Sequence, residues 1–420
     1  MSECDVVVVG AGVAGLAAAA ALRRAGLDCV VIEAADRIGG RAWTTPLGDA
    51  PFDHGASWLH AAGRNKLADI ARTHGDRLID SDAIRSEMTI RDGAPIGPAD
   101  EAAYEAAQAM FERLAQASLA GPDISLAAAV APAAAMPWMA SIVNWEAPVI
   151  AAADAVVLSL RDWHTNRLEG SNLQVEGGLG RFVARRLGAA AGPVRLGIAA
   201  DAIAWDGRRV VVHTSGGAIR AGACIVTVST GVLASGAIGF TPALPVAVQA
   251  AIAGLPMGVL NKVALRASGG DRLGLPDSCG IDQFVARIGD PAMAFIAWPY
   301  GHDHVIGFLG GSMAAALEAG GAEAFARAQL RDLFGVRADA AFAPGAVVTR
   351  WAANPLTRGA YAYAMPGHAD ARGVLAEPLA GGRLVFAGEA TCTDGLAGTV
   401  GGAWLSGQRA AGVVTACVAG

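Results

Sequence analysis

The chain has 420 residues, of which 53% are hydrophobic and 17% charged, with a formal net charge of -6. This composition excludes an intrinsically disordered chain, and with no basic or aromatic-interleaved stretch it excludes nucleic acid as the main partner. The length exceeds one simple core and suits two interleaved domains.

The chain opens on a β-branched run over residues 5–9, with no basic leader or cleavage site before it, so a cytoplasmic protein is expected. Gly10, Gly12 and Gly15, with Val13 and Ala14 between the last two, form a G-x-G-x-x-G turn. A small-residue helix over 16–25 follows, closed by Gly26, and then a strand over 29–33 ending on Glu33. The first glycine permits the turn, the second lets backbone approach a pyrophosphate, and the third lets helix and strand pack closely. The helix N-terminus offers free N–H groups to phosphates, and an acid at the strand tip accepts ribose hydroxyls. The whole unit predicts dinucleotide binding, and Glu33 disfavours a 2′-phosphate. Beyond Ala34, the run Asp36-Arg37-Ile38-Gly39-Gly40-Arg41-Ala42-Trp43 points to FAD rather than NAD: Gly39 and Gly40 allow a backbone turn against the ligand, and Arg41 can pair with its phosphates.

A helix is expected over 66–74. Residues 100–160 are Ala-rich with helical spacing, as at Tyr104, Ala107, Phe111 and Leu114. Within them, 124–144 lacks charge, but Pro132 and Pro137 make a buried helical segment the expectation, not a membrane span. Strands are expected over 194–198, 201–205, 210–214 and 219–228. In a second block from about 241 to 350, strands over 259–265 and 293–298 precede one helix over 314–333. A strand over 383–387, a Gly/Thr-rich turn and a helix over about 399–418 close the chain. Six scattered cysteines without a C-x-x-C pair argue against zinc and against a disulfide framework. His302 and His304, flanking Asp303, read as a surface turn, so no metal is expected.

These motifs resemble the flavin-containing amine oxidase family of monoamine oxidases, polyamine oxidases and flavin-type histone demethylases. The segment Gly55-Ala56-Ser57-Trp58-Leu59-His60 looks like the stretch beneath the flavin, with an ending closest to polyamine oxidases. Leu158-Ser-Leu-Arg-Asp-Trp163 with Val175-Glu-Gly-Gly178 resembles the entry to the second cofactor-binding segment. Leu384-Val-Phe-Ala-Gly388-Glu389-Ala-Thr391 with Gly398-Thr399-Val400-Gly-Gly402 is similar to the C-terminal flavin signature. The resemblance implies an α/β fold: a Rossmann-like FAD-binding domain of the glutathione reductase/p-hydroxybenzoate hydroxylase type (1–75, 170–240, 375–420), interleaved with an α+β substrate domain (76–169, 241–374).

It also implies roles. Glu389 would bind the ribityl–pyrophosphate region, Thr399 and Val400 the flavin's pyrimidine edge, and the Ala202 backbone the adenine. Lys262, in an apolar strand, would reach flavin N5 through a water. Trp351 would lie along the flavin, and Tyr361 would form one wall of an aromatic cage whose other wall is Thr399. His60 is open between a role toward the amine and that of a neutral packed residue. Ala360, where covalently flavinylated members carry cysteine, implies non-covalent FAD. Gly401 replaces a histidine common in polyamine oxidases and counts against that branch. The chain ends just past the last helix, so no membrane tail is expected; a monomer or a homodimer would suit. The implied reaction takes a hydride from the carbon beside a neutral amine, hydrolyses the imine and returns the electrons to O2 as peroxide. An L-amino-acid oxidase, a desaturase, an enzyme with a non-O2 acceptor or a non-catalytic flavoprotein stay open as alternatives. Glu146 and Asp154 are the main acids in the later half of the Ala-rich segment, so the amine itself is not identified.

Overall fold

The computed structural model describes residues 2–419. Its first sheet grows from the valine run. Strand Ser2–Val9 lies parallel to Cys29–Ile32 on one side and to Gly217–Val226 on the other. Val6 and Val8 face a core built with helices Val13–Arg24, Leu179–Ala191 and Val400–Ala419, while Cys4, Val7 and Val9 face a second core behind the sheet. Burial on both faces explains a continuous apolar run where one-sided burial would give alternation. Val194–Arg195 and Leu384–Phe386 extend the parallel part. Ala200–Ala204 and Val210–Thr214 turn back as an antiparallel meander, and Gly239–Thr241 closes the eight-stranded sheet.

The two ends of the chain meet over this sheet. The last helix crosses Val13–Arg24 so closely that a side chain at Gly407 would stand 2.2 Å from the Ala14 carbonyl oxygen. Glycine is required there by space, and the crossing brings the N-termini of both helices to one place.

The second sheet has seven strands in the order Val347–Val348, Leu260–Arg266, His304–Gly310, Ala294–Ala297, Cys279–Gln283, Ser86–Arg91 and Ala94–Pro95. Its outer face packs on helix Ala322–Phe334. The single helix expected over 314–333 is two, Gly311–Leu317 and Ala322–Phe334. Gly320 and Gly321, with φ of 159° and 94°, leave the helical region between them and break it.

The uncharged stretch 124–144 is helical in pieces, Leu126–Val130, Ala131–Ala133 and Met139–Asn144, with Pro132 at the first break. Among the described residues no helix is long and apolar enough to cross a membrane. After it comes a feature that periodicity does not reveal, a π-helical turn at Trp145–Ala151 with Pro148 inside. Proline cannot supply the N–H of an α-helical turn, and such wide turns are frequent at functional sites.

Candidate active site

One cavity of about 820 Å³ runs between the two sheets, at the upper end of the size usual for ligand sites. One end is the glycine turn. An added Cβ at Gly15 would sit 1.9 Å from the Gly10 carbonyl oxygen, so the helix can start against the strand only with glycine. Gly40, at φ 59°, approaches Gly12 so closely that a Cβ would lie 3.2 Å from its Cα, and the Gly39 N–H donates to the Ala11 carbonyl at 2.8 Å. The two glycine segments therefore form one backbone cradle. The Glu33 carboxylate stands at its rim and accepts from the Ala11 and Ala35 N–H groups at 2.7 and 2.9 Å. A long cavity floored by bare backbone and edged by an acid fits a dinucleotide such as FAD.

Further along, residues from distant parts of the chain converge. Glu389 is buried, ion-paired with Arg41 at 2.8 Å, and accepts from the Ala362 N–H at 3.2 Å. The same Arg41 nitrogen donates to the Ala360 carbonyl at 2.8 Å. Trp351 is buried and its indole N–H donates to the His54 carbonyl at 3.2 Å. The Tyr361 hydroxyl donates to the Ile150 carbonyl of the π-helical turn at 2.7 Å. Burial first, then the Glu389 charge, push its pKa up and keep the phenol protonated. The Thr399 hydroxyl donates to the Leu396 carbonyl at 2.7 Å and accepts from the Gly402 N–H at 3.0 Å, capping the last helix.

Lys262 is 4% exposed. Its ammonium donates to the carbonyls of Asp53 and Gly55 at 2.8 and 2.7 Å and to the Ser57 hydroxyl at 2.6 Å. Burial holds its pKa down at about 8 against a partial rise from Asp53. The neighbouring Val263, Ala264 and Leu265 are buried and apolar, so these three acceptors make the position tolerable for a cation. The rings of Trp58 and Phe308 stand 5.7 and 5.8 Å from the nitrogen. His54, stacked on Trp43 at 4.0 Å, is held to a pKa of about 4 by burial and by the Lys262 and Arg37 charges.

His60 also lines the cavity. Its Nδ1 is 2.7 Å from Asn172 Oδ1, and the Asn172 amide donates to Asp82, which fixes the asparagine's orientation. Nδ1 therefore carries the proton, and burial lowers the pKa, leaving a neutral ring with Nε2 as its free acceptor.

Nearly every residue expected at the site lines this cavity: Gly10, Gly12, Val13, Ala14, Glu33, Ala34, Arg37, Gly40, Arg41, Gly55, Ala56, Ser57, Trp58, Gly388 and Val400 with those described above. Gly15 lies behind the turn. Ala202 is not on the wall; its neighbours Ala200 and Asp201 are, and the strand's register shifts between Ala200 and Ala202. Asp154 is not on it either, and instead accepts from the Ser312 N–H at the start of helix Gly311–Leu317. At Gly401 a Cβ would meet the Asn65 side chain at 3.0 Å, so the space a larger residue would need belongs to the asparagine that caps helix Lys66–Thr73. Missed altogether were the buried pair Asp162–Arg372, joined at 2.6 and 2.8 Å, and the carboxylates of Glu87 and Asp282. Among the described residues no group of three His, Cys, Asp or Glu could hold a metal ion.

A family described as flavin containing amine oxidoreductase matches residues 130–415, and one described as an NAD(P)-binding Rossmann-like domain matches residues 8–73. Polyamine oxidase 4 of Oryza sativa subsp. japonica is 29% identical over 98% of this chain and 88% of its own length. Probable polyamine oxidase 4 of Arabidopsis thaliana is 31% identical over 97% and 86%. Lysine-specific histone demethylase 1 homolog 1 of Oryza sativa subsp. japonica is 30% identical over 98% of this chain and 52% of its own length. Among solved structures, a putrescine oxidase bound to putrescine superposes with a TM-score of 0.80 at 22% identity, covering 99% of each chain, which shows a shared fold.

Proposed function

As this chain belongs to the family of flavin-containing amine oxidoreductases, and is an FAD-dependent enzyme acting on amines, we propose that its chemistry takes place where Lys262, Trp351, Tyr361 and Thr399 meet. The carrying observation is the buried Lys262 ammonium, held by three acceptors on the wall of the cavity that begins at the glycine cradle. When bound, FAD accepts a hydride from the carbon beside the amine nitrogen and returns the electrons to O2 as peroxide.

The protein's part is to hold, orient and exclude water. Gly10, Gly12 and Gly40 with Glu33 would hold the dinucleotide half, and Arg41 and Glu389 the middle. The N-terminus of helix Val400–Ala419, capped by Thr399, offers partial positive charge to the flavin end. The Tyr361 and Trp351 rings would orient the amine, since aromatic faces favour a nitrogen that becomes cationic. Lys262, with a pKa near the working pH, can carry a proton to or from an adjacent water. The neutral His60 can accept a proton at Nε2. Ala360 offers no nucleophile for a covalent link, and we assign non-covalent FAD. Six free thiols suit a reducing compartment, and the cytoplasm is the proposed location.

Anaerobic mixing with monoamines, polyamines and amino acids should bleach the flavin with at least one amine, and air should then release peroxide. A flavin that stays oxidised with every amine would refute the reading. Denaturation should free FAD into the supernatant.

A further inference from the structure

The three acceptors of the Lys262 ammonium belong to one short segment: the Asp53 and Gly55 carbonyls and the Ser57 hydroxyl. Asp53 ends strand Ala50–Asp53, and while its carbonyl accepts from the lysine its side chain reaches a helix. One carboxylate oxygen accepts from the Leu179 N–H at 3.0 Å and the other from the Gly180 N–H at 3.2 Å, at the start of Leu179–Ala191. Thr44, paired with Asp53 across the hairpin, donates its hydroxyl to the same carboxylate and accepts from the Arg181 N–H at 3.1 Å.

That helix has no cap of its own. Its N-cap position is Gly178, at φ 101°, where a side chain would stand 2.4 Å from Thr44. Asp53 supplies from a distant segment what a capping side chain supplies locally, and its charge meets the positive end of the helix. Asp53 does not line the cavity, so any effect on the reaction passes through the residues it holds. Few other charges act on the lysine. Its ammonium makes no ion pair among the described residues. His54 is neutral, since burial and then the Lys262 and Arg37 charges hold its pKa at about 4. Phe308 is its partner on the adjoining strand, and Glu318 is turned to the Asn261 amide and the Ala352 and Ala353 N–H groups. Burial, then the Asp53 charge, keeps Tyr300 protonated. Asp53 is the charge that supports the cationic lysine against its burial.

We propose that Asp53 is the positioning residue for Lys262: anchored on the first turn of helix Leu179–Ala191, it fixes the oxygens that receive the ammonium and supplies the negative charge behind them. The inference rests on the reading of Lys262 as the proton carrier of the site and adds what places it and keeps it charged.

The test is a double-mutant cycle read as stability against pH. Urea unfolding of the FAD-loaded enzyme, from about pH 5 to 10.5, is compared between native and Lys262→Met protein, and the difference isolates the lysine's titration. The same comparison is then made on Asp53→Asn, which keeps an oxygen for the helix amides and removes the charge. Without that charge the lysine holds its proton less tightly, so the Lys262-dependent rise in stability should begin about one pH unit lower and be larger. A residue that only caps the helix would lower stability alike at every pH. An onset within about 0.2 pH unit of the native one overturns the proposal. Asp53→Ser, uncharged but a good cap, repeats the comparison; if neither variant folds, Asp53 serves the fold alone and the proposal falls. Stopped-flow reoxidation over the same pH range should show its midpoint moving down with the onset. If the onset moves but reoxidation is indifferent to Lys262→Met, the reading of Lys262 fails and its pairing with Asp53 stands. If reoxidation depends on Lys262 but neither midpoint nor onset moves in Asp53→Asn, the pairing fails and amine oxidation stands.

Discussion

Replacing Lys262 by methionine separates what the lysine does for the fold from what it does for the reaction. The ammonium is buried and its pKa is held down at about 8, against 10.5 in the unfolded chain. A lowered lysine pKa means that the unfolded chain binds the proton more tightly. Below pH 8 the folded state therefore bears the whole cost of the buried charge, about 3 kcal/mol, and native stability rises as pH climbs from 8 to 10.5. Methionine removes that cost and keeps most of the apolar stem. It also leaves the Asp53 and Gly55 carbonyls without a donor, at about 1–3 kcal/mol each, while the Ser57 hydroxyl can turn to donate. The two effects are of similar size and opposite sign, so stability at pH 7 should change by less than about 2 kcal/mol, and the rise between pH 8 and 10.5 should vanish. The reaction should suffer far more. Loss of a positioned proton carrier costs about 10²-fold, read by stopped flow as the rate at which O2 restores the flavin absorbance after anaerobic bleaching. A variant that binds FAD and cycles within about threefold of the native rate would refute the assignment of Lys262, and an unchanged stability–pH profile would refute the account of its buried charge.

Gly15→Ala forces a methyl group against the Gly10 carbonyl; the purified protein should lose its flavin colour, with FAD binding at least about 10²-fold weaker by fluorescence titration. Asp162→Asn leaves the buried Arg372 charge uncompensated and should lower stability by about 3–5 kcal/mol in urea unfolding. Tyr361→Phe keeps the ring and loses only the bond to the Ile150 carbonyl, so kcat/KM should fall about three- to tenfold, while Tyr361→Ala should cost about 10²-fold or more. Asp282→Asn should stabilise the substrate-free enzyme by about 1–3 kcal/mol at pH 7–8. The raised pKa of the native acid makes its ionised form costly, a cost that appears as pH rises from 3.8 through 6 and is absent below pH 4.

What could be read in advance is what local chemistry specifies. The glycine turn, the acid at a strand tip and the helix after the turn each follow from the backbone they require; Gly40 packs on Gly12, and Glu33 accepts from the Ala11 N–H. Lys262 stood out because a lysine in an apolar strand needs acceptors, and the structure supplies them from residues 53–57. Ala202 stands off the cavity wall that Ala200 and Asp201 line, and the register irregularity between Ala200 and Ala202 has no local signal in the sequence. The single helix over 314–333 failed because apolar spacing continues through Gly320 and Gly321, whose φ values only the fold reveals. The π-helical turn was hidden in the same way, since Pro148 signals a break without saying what replaces it.

The acids on the cavity wall show the harder limit. Asp282 and Glu87 are almost 200 residues apart in the chain, yet parallel pairing of Cys279–Gln283 with Ser86–Arg91 sets them on one face, where Gly280 leaves room for Glu87. A side chain at Gly280 would stand 2.2 Å from that carboxylate, so this glycine, which marks no turn, is explained by the acid opposite it. Composition gives no hint of this, because a count of acids does not say which of them share a face. What sets a carboxylate's charge cost is whether it has a partner. Asp154, prominent by position, accepts from the Ser312 N–H, and Asp282, inconspicuous in the chain, stands on the cavity wall with its pKa pushed up by burial and by Glu87. Partnership is a property of sheet register, and register emerges only when strands from both halves of the chain are paired.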